Sequence, residues 1–325
     1  MKKRTRTLCI ILAMIALFSG CGKKEADRGS VEIYYAAIES GDYYEGWASQ
    51  LKEQAGVYGA EFEVGYAEKS LETQISQIKG AVGDGYNVFL CGLVSPETAT
   101  VVKAAAGEIP IVFINNAPDE GQLEKDRYIY VASDEFMAGE YQAEYVLEKF
   151  SDKEEINVAV LKGPKGASGA EGRTKGLKQT LKASGKKINY VFEDYADWSN
   201  DTARELMGIF LRTGKTVDCV VANNDDMALG GLAAFEDAGV NTDSVLFLGV
   251  DASAAGCEAI LEGRMDFTVF QPVSAQISAA VEAAEHLAKG QSVSTMEGVS
   301  KDGKYVLVPF EKVDAGNVSQ YQNAR

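Results

Sequence analysis

Apolar residues along the chain fall into two alternating patterns. Short, nearly unbroken apolar, aromatic or β-branched runs occur at 31–37, 60–66, 86–91, 109–114, 128–131, 156–161, 188–192, 217–222, 245–250, 266–270 and 305–310. Between many of them lie longer stretches whose apolar residues recur every three or four positions. Examples are Ile75, Ile78 and Val82; Met137, Tyr141 and Tyr145; Leu177 and Leu181; Leu206, Ile209 and Phe210; and Ile277, Val281, Ala284, Leu287 and Ala288. The first pattern predicts strands buried on both faces, the second amphipathic helices. Their regular alternation predicts an α/β fold with helices on both faces of parallel sheets. The pattern runs through twice, over 31–131 and 156–270, and a chain of about 300 residues exceeds what one hydrophobic core organises. Two doubly wound lobes are therefore expected.

The first thirty residues follow neither pattern. Lys2, Lys3, Arg4 and Arg6 precede an uncharged apolar run from Leu8 to Phe18. That run is shorter than the roughly 20 residues needed to span a bilayer and has the length of a signal-peptide core. It ends in Leu17-Phe18-Ser19-Gly20-Cys21, which resembles a bacterial lipoprotein signal, with Phe18 in place of the usual Leu. The resemblance implies a signal peptide over 1–20 and lipidation of Cys21. An ordinary secreted protein with Cys21 near its cleavage site is the alternative. The polar, aperiodic stretch 21–30 is expected to be a flexible tether, so the membrane is met through the lipid anchor only.

The formal charge of −16 becomes about −20 once the basic start is set aside, which excludes nucleic acid as a partner. Of the remaining cysteines, Cys91 and Cys219 lie inside apolar runs and Cys257 leaves an odd number. Buried free thiols are expected, and the spacing suits no metal.

Open parallel sheets bind ligands beyond the carboxyl ends of their strands. Polar and aromatic residues gather there: Asp42, Tyr43 and Tyr44; Asn115 and Asn116; Asn223, Asn224, Asp225 and Asp226; Asp251; and Gln271, with Arg173 and Trp198 in the long connections of the second half. The set holds amides, carboxylates, a guanidinium and aromatic rings, and no nucleophile with its base, so an enzyme is not expected. It suits a sugar, whose hydroxyls both donate and accept and whose C–H faces lie flat on aromatic rings. Asn115, Asn224 and Asp251 also suit helix N-caps, the plainer reading of each alone. Gly163 to Gly172 and Gly208 to Thr216 both miss the spacing of a phosphate-binding loop. His286, the single histidine, is expected on a helix surface.

Several stretches carry a specific resemblance. Ile111-Val112-Phe113-Ile114-Asn115-Asn116, Leu161-Lys162-Gly163, Ala170-Glu171-Gly172-Arg173-Thr174, Val221 through Gly230 and Gly249-Val250-Asp251-Ala252 resemble the sugar-binding type I periplasmic proteins of ABC importers, above all the glucose/galactose-binding branch. The resemblance covers 31–314 and implies doubly wound lobes joined by a three-strand hinge, with crossings near Ala132-Ser133-Asp134, Gln271-Pro272 and Tyr305-Val306-Leu307; this assigns 31–132 with 272–306 to the N-terminal lobe and 133–271 with 307–325 to the C-terminal lobe. It implies that Asp42, Asn115, Arg173, Asn224, Asp251 and Gln271 bond ligand hydroxyls. It also implies that Tyr44 and Trp198 sandwich the ring, with Tyr43 the alternative to Tyr44. Ala167 and Gly169 stand where that branch has His and Asp, and Gln271 where it has Asn. Its calcium loop is missing: Phe150 to Ile156 is short and lacks alternating oxygen ligands. The resemblance therefore implies a monomer without cofactor or metal, whose partners are a small sugar-like ligand and the membrane subunits of an importer. A sensing protein that presents its closed form to a chemoreceptor or sensor kinase is the alternative. A transcriptional regulator shares this fold, but no basic helix-turn-helix segment precedes residue 31.

Overall fold

The computed structural model describes residues 29–322; the expected signal peptide, Cys21 and most of the expected tether lie outside the described residues. The chain forms two six-stranded sheets. The first holds β1 (Glu32–Ala37), β2 (Glu61–Tyr66), β3 (Val88–Cys91), β4 (Ile111–Phe113), β5 (Tyr128–Ala132) and, from late in the chain, β11 (Tyr305–Leu307), in the order β11-β5-β4-β3-β1-β2. The second holds β6 (Glu155–Lys162), β7 (Lys187–Tyr195), β8 (Cys219–Ala222), β9 (Leu246–Leu248), β10 (Phe267–Phe270) and β12 (Glu311–Asp314), in the order β12-β10-β9-β8-β6-β7. Every pairing is parallel except β10 with β12. The expected two-lobed α/β architecture is what the chain adopts.

Strands buried on both faces need cover on both. In the first lobe α1 (Asp42–Val57) and α9 (Val273–Ala288) lie over Ile33, Tyr35, Leu90 and Val112. The opposite face, with Phe89, Ile111 and Phe113, is covered by α2 (Leu71–Asp84) and α3 (Ala99–Ala106). In the second lobe α4 (Glu135–Lys149) and α5 (Ser168–Ala183) cover Val158, Val160, Val221 and Val269. There α6 (Asn200–Leu211), α7 (Asp225–Asp237) and α8 (Ala254–Leu261) cover Ala159, Leu161, Val220 and Ala222. Ser70, Asp134, Ser199, Asn224 and Ser253 start five helices by accepting a first-turn N–H with their side-chain oxygens. Such caps let a helix begin a few residues after a strand ends. The strand ends of the two lobes meet where Ser168 bonds Asn115 and Ala117. Cys91 and Cys219 are free thiols, and all three cysteines of the described residues, Cys257 included, are buried.

Two expectations differ from the structure. The run 305–310 is not one strand: β11 ends at Leu307, the chain crosses at 308–310, and β12 follows antiparallel to β10. β12 is Glu-Lys-Val-Asp with only Val313 buried, so no apolar run announces it. In α4 the fully buried residues are Ala138, Gly139, Gln142, Ala143 and Val146, with Tyr141 and Tyr145 half-buried against the same core, because small residues are required where α4 meets α5. A Cβ at Gly139 would stand 1.8 Å from the Arg173 carbonyl oxygen, and one at Gly176 would stand 2.0 Å from that of Phe136. The two backbones are in direct contact, and this sets the start of α4 beside the second turn of α5. Gly176→Ala is expected to destabilise the protein by about 1–3 kcal/mol through overpacking, read as a lower urea midpoint. An unchanged midpoint would show that this crossing yields.

Candidate ligand-binding site

That helix crossing carries a buried cation. Arg173, 5% exposed, donates from Nε to Glu135 Oε2 at 2.6 Å, from Nη1 to the Asn223 carbonyl at 2.6 Å and from Nη2 to Gln271 Oε1 at 3.3 Å. Asp251 Oδ1 lies 3.7 Å from Nη1. Burial opposes the charge, but the Glu135 and Asp251 carboxylates outweigh it and hold the guanidinium pKa above its ordinary value. The plane of the fork is thus held before any ligand arrives.

Beside it stands Trp198, half-buried, its ring 5.8 Å from Arg173 Cζ. The indole lies flat over Gly163, where a Cβ would come within 2.3 Å of the ring. The loop that carries it is bent: Asp197 and Trp198 both have left-handed φ, 52° and 64°, which side chains of this size rarely adopt. Ala196 N–H donates to the Lys162 carbonyl at 2.7 Å, and Ser199 begins α6. Asn223, fully buried, accepts from Gly163 N–H and the Thr174 hydroxyl. It ties the ends of β6 and β8 to α5. Asn224 spends Oδ1 on capping α7, 3.0 Å from Met227 N. Asp251 is not a cap: Ser253 caps α8, and Asp251 stands at φ 117°, its N–H held by the Val269 carbonyl.

Behind Asp251 lies a second carboxylate, Asp225, fully buried. It accepts from the Thr268 hydroxyl and Ser253 N–H, each at 2.6 Å. Burial and the neighbouring Asp251 charge push its pKa up to about 7.

The first lobe supplies the facing wall. Asn115, at φ 62°, donates from Nδ2 to the Tyr43 hydroxyl at 3.1 Å. Its carbonyl accepts from the hydroxyls of Tyr130 and Ser168, and Ser168 in turn accepts from Ala117 N–H. Ser168 belongs to the second lobe, so the lobes touch here. Tyr43 is 51% exposed overall, yet its hydroxyl end is enclosed. Desolvation, then the Asp251 charge, raises its pKa well above the ordinary 10. Burial and Glu39 push the pKa of Tyr44 up to about 12, and its ring meets Tyr43 edge-on at 5.1 Å. Asn115 Oδ1 and Asn223 Nδ2 are buried without a hydrogen-bond partner.

Tyr43, Asn115, Arg173, Trp198, Asp251 and Gln271 are brought together. Asn224 joins them at the start of α7. Asp42 is exposed at the start of α1 and makes none of these contacts. The sequence did not point to Glu135, Tyr130, Ser168 or Phe310. Glu135 reads as an ordinary first-turn acid, and only the α4–α5 crossing aims it at Arg173. Ser168 sits between the two positions that were considered, Ala167 and Gly169. A cavity of about 400 Å³ between α1 and β2, lined by Glu45, Lys52, Phe62 and Tyr66, lies at the outer edge of the first sheet, away from these residues.

The chain belongs to the periplasmic binding protein domain family, whose model matches residues 33–292. A protein from Rhizobium meliloti named as rhizopine-binding is 29% identical over 267 residues, 81% of this chain and 83% of that one. A xylitol-binding protein of Mycolicibacterium smegmatis is 30% identical over 250 residues, covering 74% of this chain and 69% of its own length. An ABC transporter solute binding protein from Bacillus halodurans, solved with bound myo-inositol, superposes with a TM-score of 0.79 at 27% identity, over 92% of this chain and 100% of that one.

The site carries a pH signature. Unfolded, an aspartate ionises near pH 4; folded, Asp225 keeps its proton to about pH 7. Between these values the folded state binds the extra proton. Its contribution to stability therefore falls as pH rises from about 4 to about 7 and is constant above. Asp225→Asn is expected to remove that slope from urea midpoints measured between pH 5 and 8. Equal slopes in the two proteins would contradict the assignment.

Proposed function

We propose that the protein is an extracytoplasmic solute-binding protein that captures a monosaccharide or similar polyhydroxylated ligand between its lobes and delivers it to an ABC importer. The observation that carries this reading is the convergence of one buried guanidinium, one carboxylate, several amides and two aromatic rings from both lobes on a single space. Each hydroxyl of a polyol both donates and accepts. Arg173 donates, Asp251 accepts, and the amides of Asn115, Asn224 and Gln271 do either. Trp198 and Tyr43 take the C–H faces. Tyr43 is preferred over Tyr44 because its hydroxyl accepts from Asn115 Nδ2 and feels the Asp251 charge. The unpaired Asn115 Oδ1 and Asn223 Nδ2 suit a ligand that hydrogen-bonds, since an unmatched buried polar group costs about 1–3 kcal/mol.

Relatives named for xylitol and rhizopine binding, and one solved with myo-inositol, support a polyol. The strand-end motifs resemble those of the glucose/galactose-binding branch. The cargo we propose is different, because Gly169 leaves bare a position within ordinary contact distance, 3.7 Å, of both Arg173 and Trp198. We read the protein as a monomer held at the membrane by lipidated Cys21.

A thermal-shift panel of pentoses, hexoses, pentitols and inositols tests the reading. At least one member is expected to raise the melting temperature, and no shift with any would refute it. Asp251→Ala should weaken that ligand about 10- to 100-fold, as loss of hydrogen bonds to a charged group would, and Trp198→Ala should abolish the shift with the fold retained. Normal binding by both would displace the site. Cys21→Ala is expected to move the protein from the membrane to the soluble fraction, and continued membrane retention would contradict the anchor.

A further inference from the structure

Arg173 touches all three segments that cross between the lobes. After the first crossing, Glu135 opens α4 and holds Nε at 2.6 Å. At the second, Gln271 accepts from Nη2 at 3.3 Å. At the third, the buried Phe310 ring lies 5.9 Å from Cζ. The first two crossings are also bonded to each other, through Gln276 in the first turn of α9. Its amide uses both ends: Oε1 accepts from Gln271 Nε2 at 3.4 Å, and Nε2 donates to Ser133 Oγ at 2.7 Å. Gln276 is 3% exposed and Ser133 2%, so water does not compete for the bond between them. A glutamine in the apolar face of α9, among Ile277, Ala280 and Val281, has no packing reason to be there. Buried polar groups are retained where their bonds specify one arrangement.

We infer that Gln276 is a positioning residue that joins the hinge to the binding site: it holds Ser133 and Gln271 in one relative position, and Gln271 passes that position to the Arg173 fork. Glu135 does the same from the other side of the guanidinium. A ligand that engages Arg173 therefore acts on a group whose supports are the hinge segments themselves, so site occupancy and lobe angle are tied through named bonds. The ligand arm of this inference rests on the polyol reading above; the hinge arm does not.

Gln276→Met keeps the side-chain length and removes both bonds, and Ser133→Ala cuts the same bridge from its other end. Spin labels at the exposed Lys52 on α1 and Glu205 on α6 report the distance between lobes in purified, ligand-free protein. Both variants are expected to shift the distribution to longer distances and to broaden it, with wild-type circular dichroism. Distributions that match wild type in both variants would overturn the inference. For a polyol that wild type binds, Gln276→Met should weaken affinity about tenfold. The losses from Gln276→Met and Gln271→Met should be non-additive, because one residue acts through the other. Additive losses would assign Gln276 a purely structural role and would also overturn it. If wild type binds no polyol or sugar, the functional reading falls while the ligand-free distances still decide this one.

Discussion

The structure is organised around one buried guanidinium. A cation removed from water is destabilising by several kcal/mol unless carboxylates and hydrogen-bond acceptors surround it. Arg173 meets Glu135, Asp251, the Asn223 carbonyl and Gln271, drawn from α4, the end of β9, the end of β8 and a crossing segment. Each partner arrives by its own route. Glu135 depends on glycines that let α4 and α5 touch, Asn223 on its bonds to Gly163 and Thr174, and Asp251 on the bend after β9. A fork held in this way spends little conformational entropy on a ligand, which is how preorganisation raises affinity.

The two lobes contribute differently. The second supplies most of the charge and one ring, on loops fixed by backbone bonds to β6 and β10. The first supplies Tyr43 and Asn115, whose positions depend on how the lobes meet: Asn115 accepts from Ser168 across the gap. A ligand held between the two lobes, as proposed, would be shut off from water by their closure. In this chain the closing faces and the hinge share residues, so recognition and movement are not separable parts.

Much of this was legible in the sequence because parallel strands buried on both faces read as continuous apolar runs and their polar exits stand out. Eleven runs marked eleven of the strands; β12, with a single buried residue, left no such mark. Asn115, Arg173, Asp251 and Gln271, read as ligand contacts at strand ends or in the long connections, stand together in the structure. Trp198, placed in a loop by its polar neighbours, lies beside Arg173. Asn224 was weighed as a cap and is one, which leaves its Nδ2 for other partners. What escaped depended on tertiary contact. Glu135 and Gln276 look like surface polar residues in their helices until the α4–α5 crossing and the packing of α9 bury them. The preference proposed for Tyr43 over Tyr44 rests on the Asn115 bond to the Tyr43 hydroxyl, which two adjacent tyrosines do not reveal.

The most direct test of this account is calorimetric titration of Arg173→Lys with a polyol that the wild-type protein binds. Lysine keeps the charge but not the planar fork that Glu135, Asn223 and Gln271 hold. The account predicts a folded protein whose affinity falls by two orders of magnitude or more, about 3 kcal/mol. An affinity equal to wild type would contradict it, for the guanidinium would then be a structural ion and not the centre of the site.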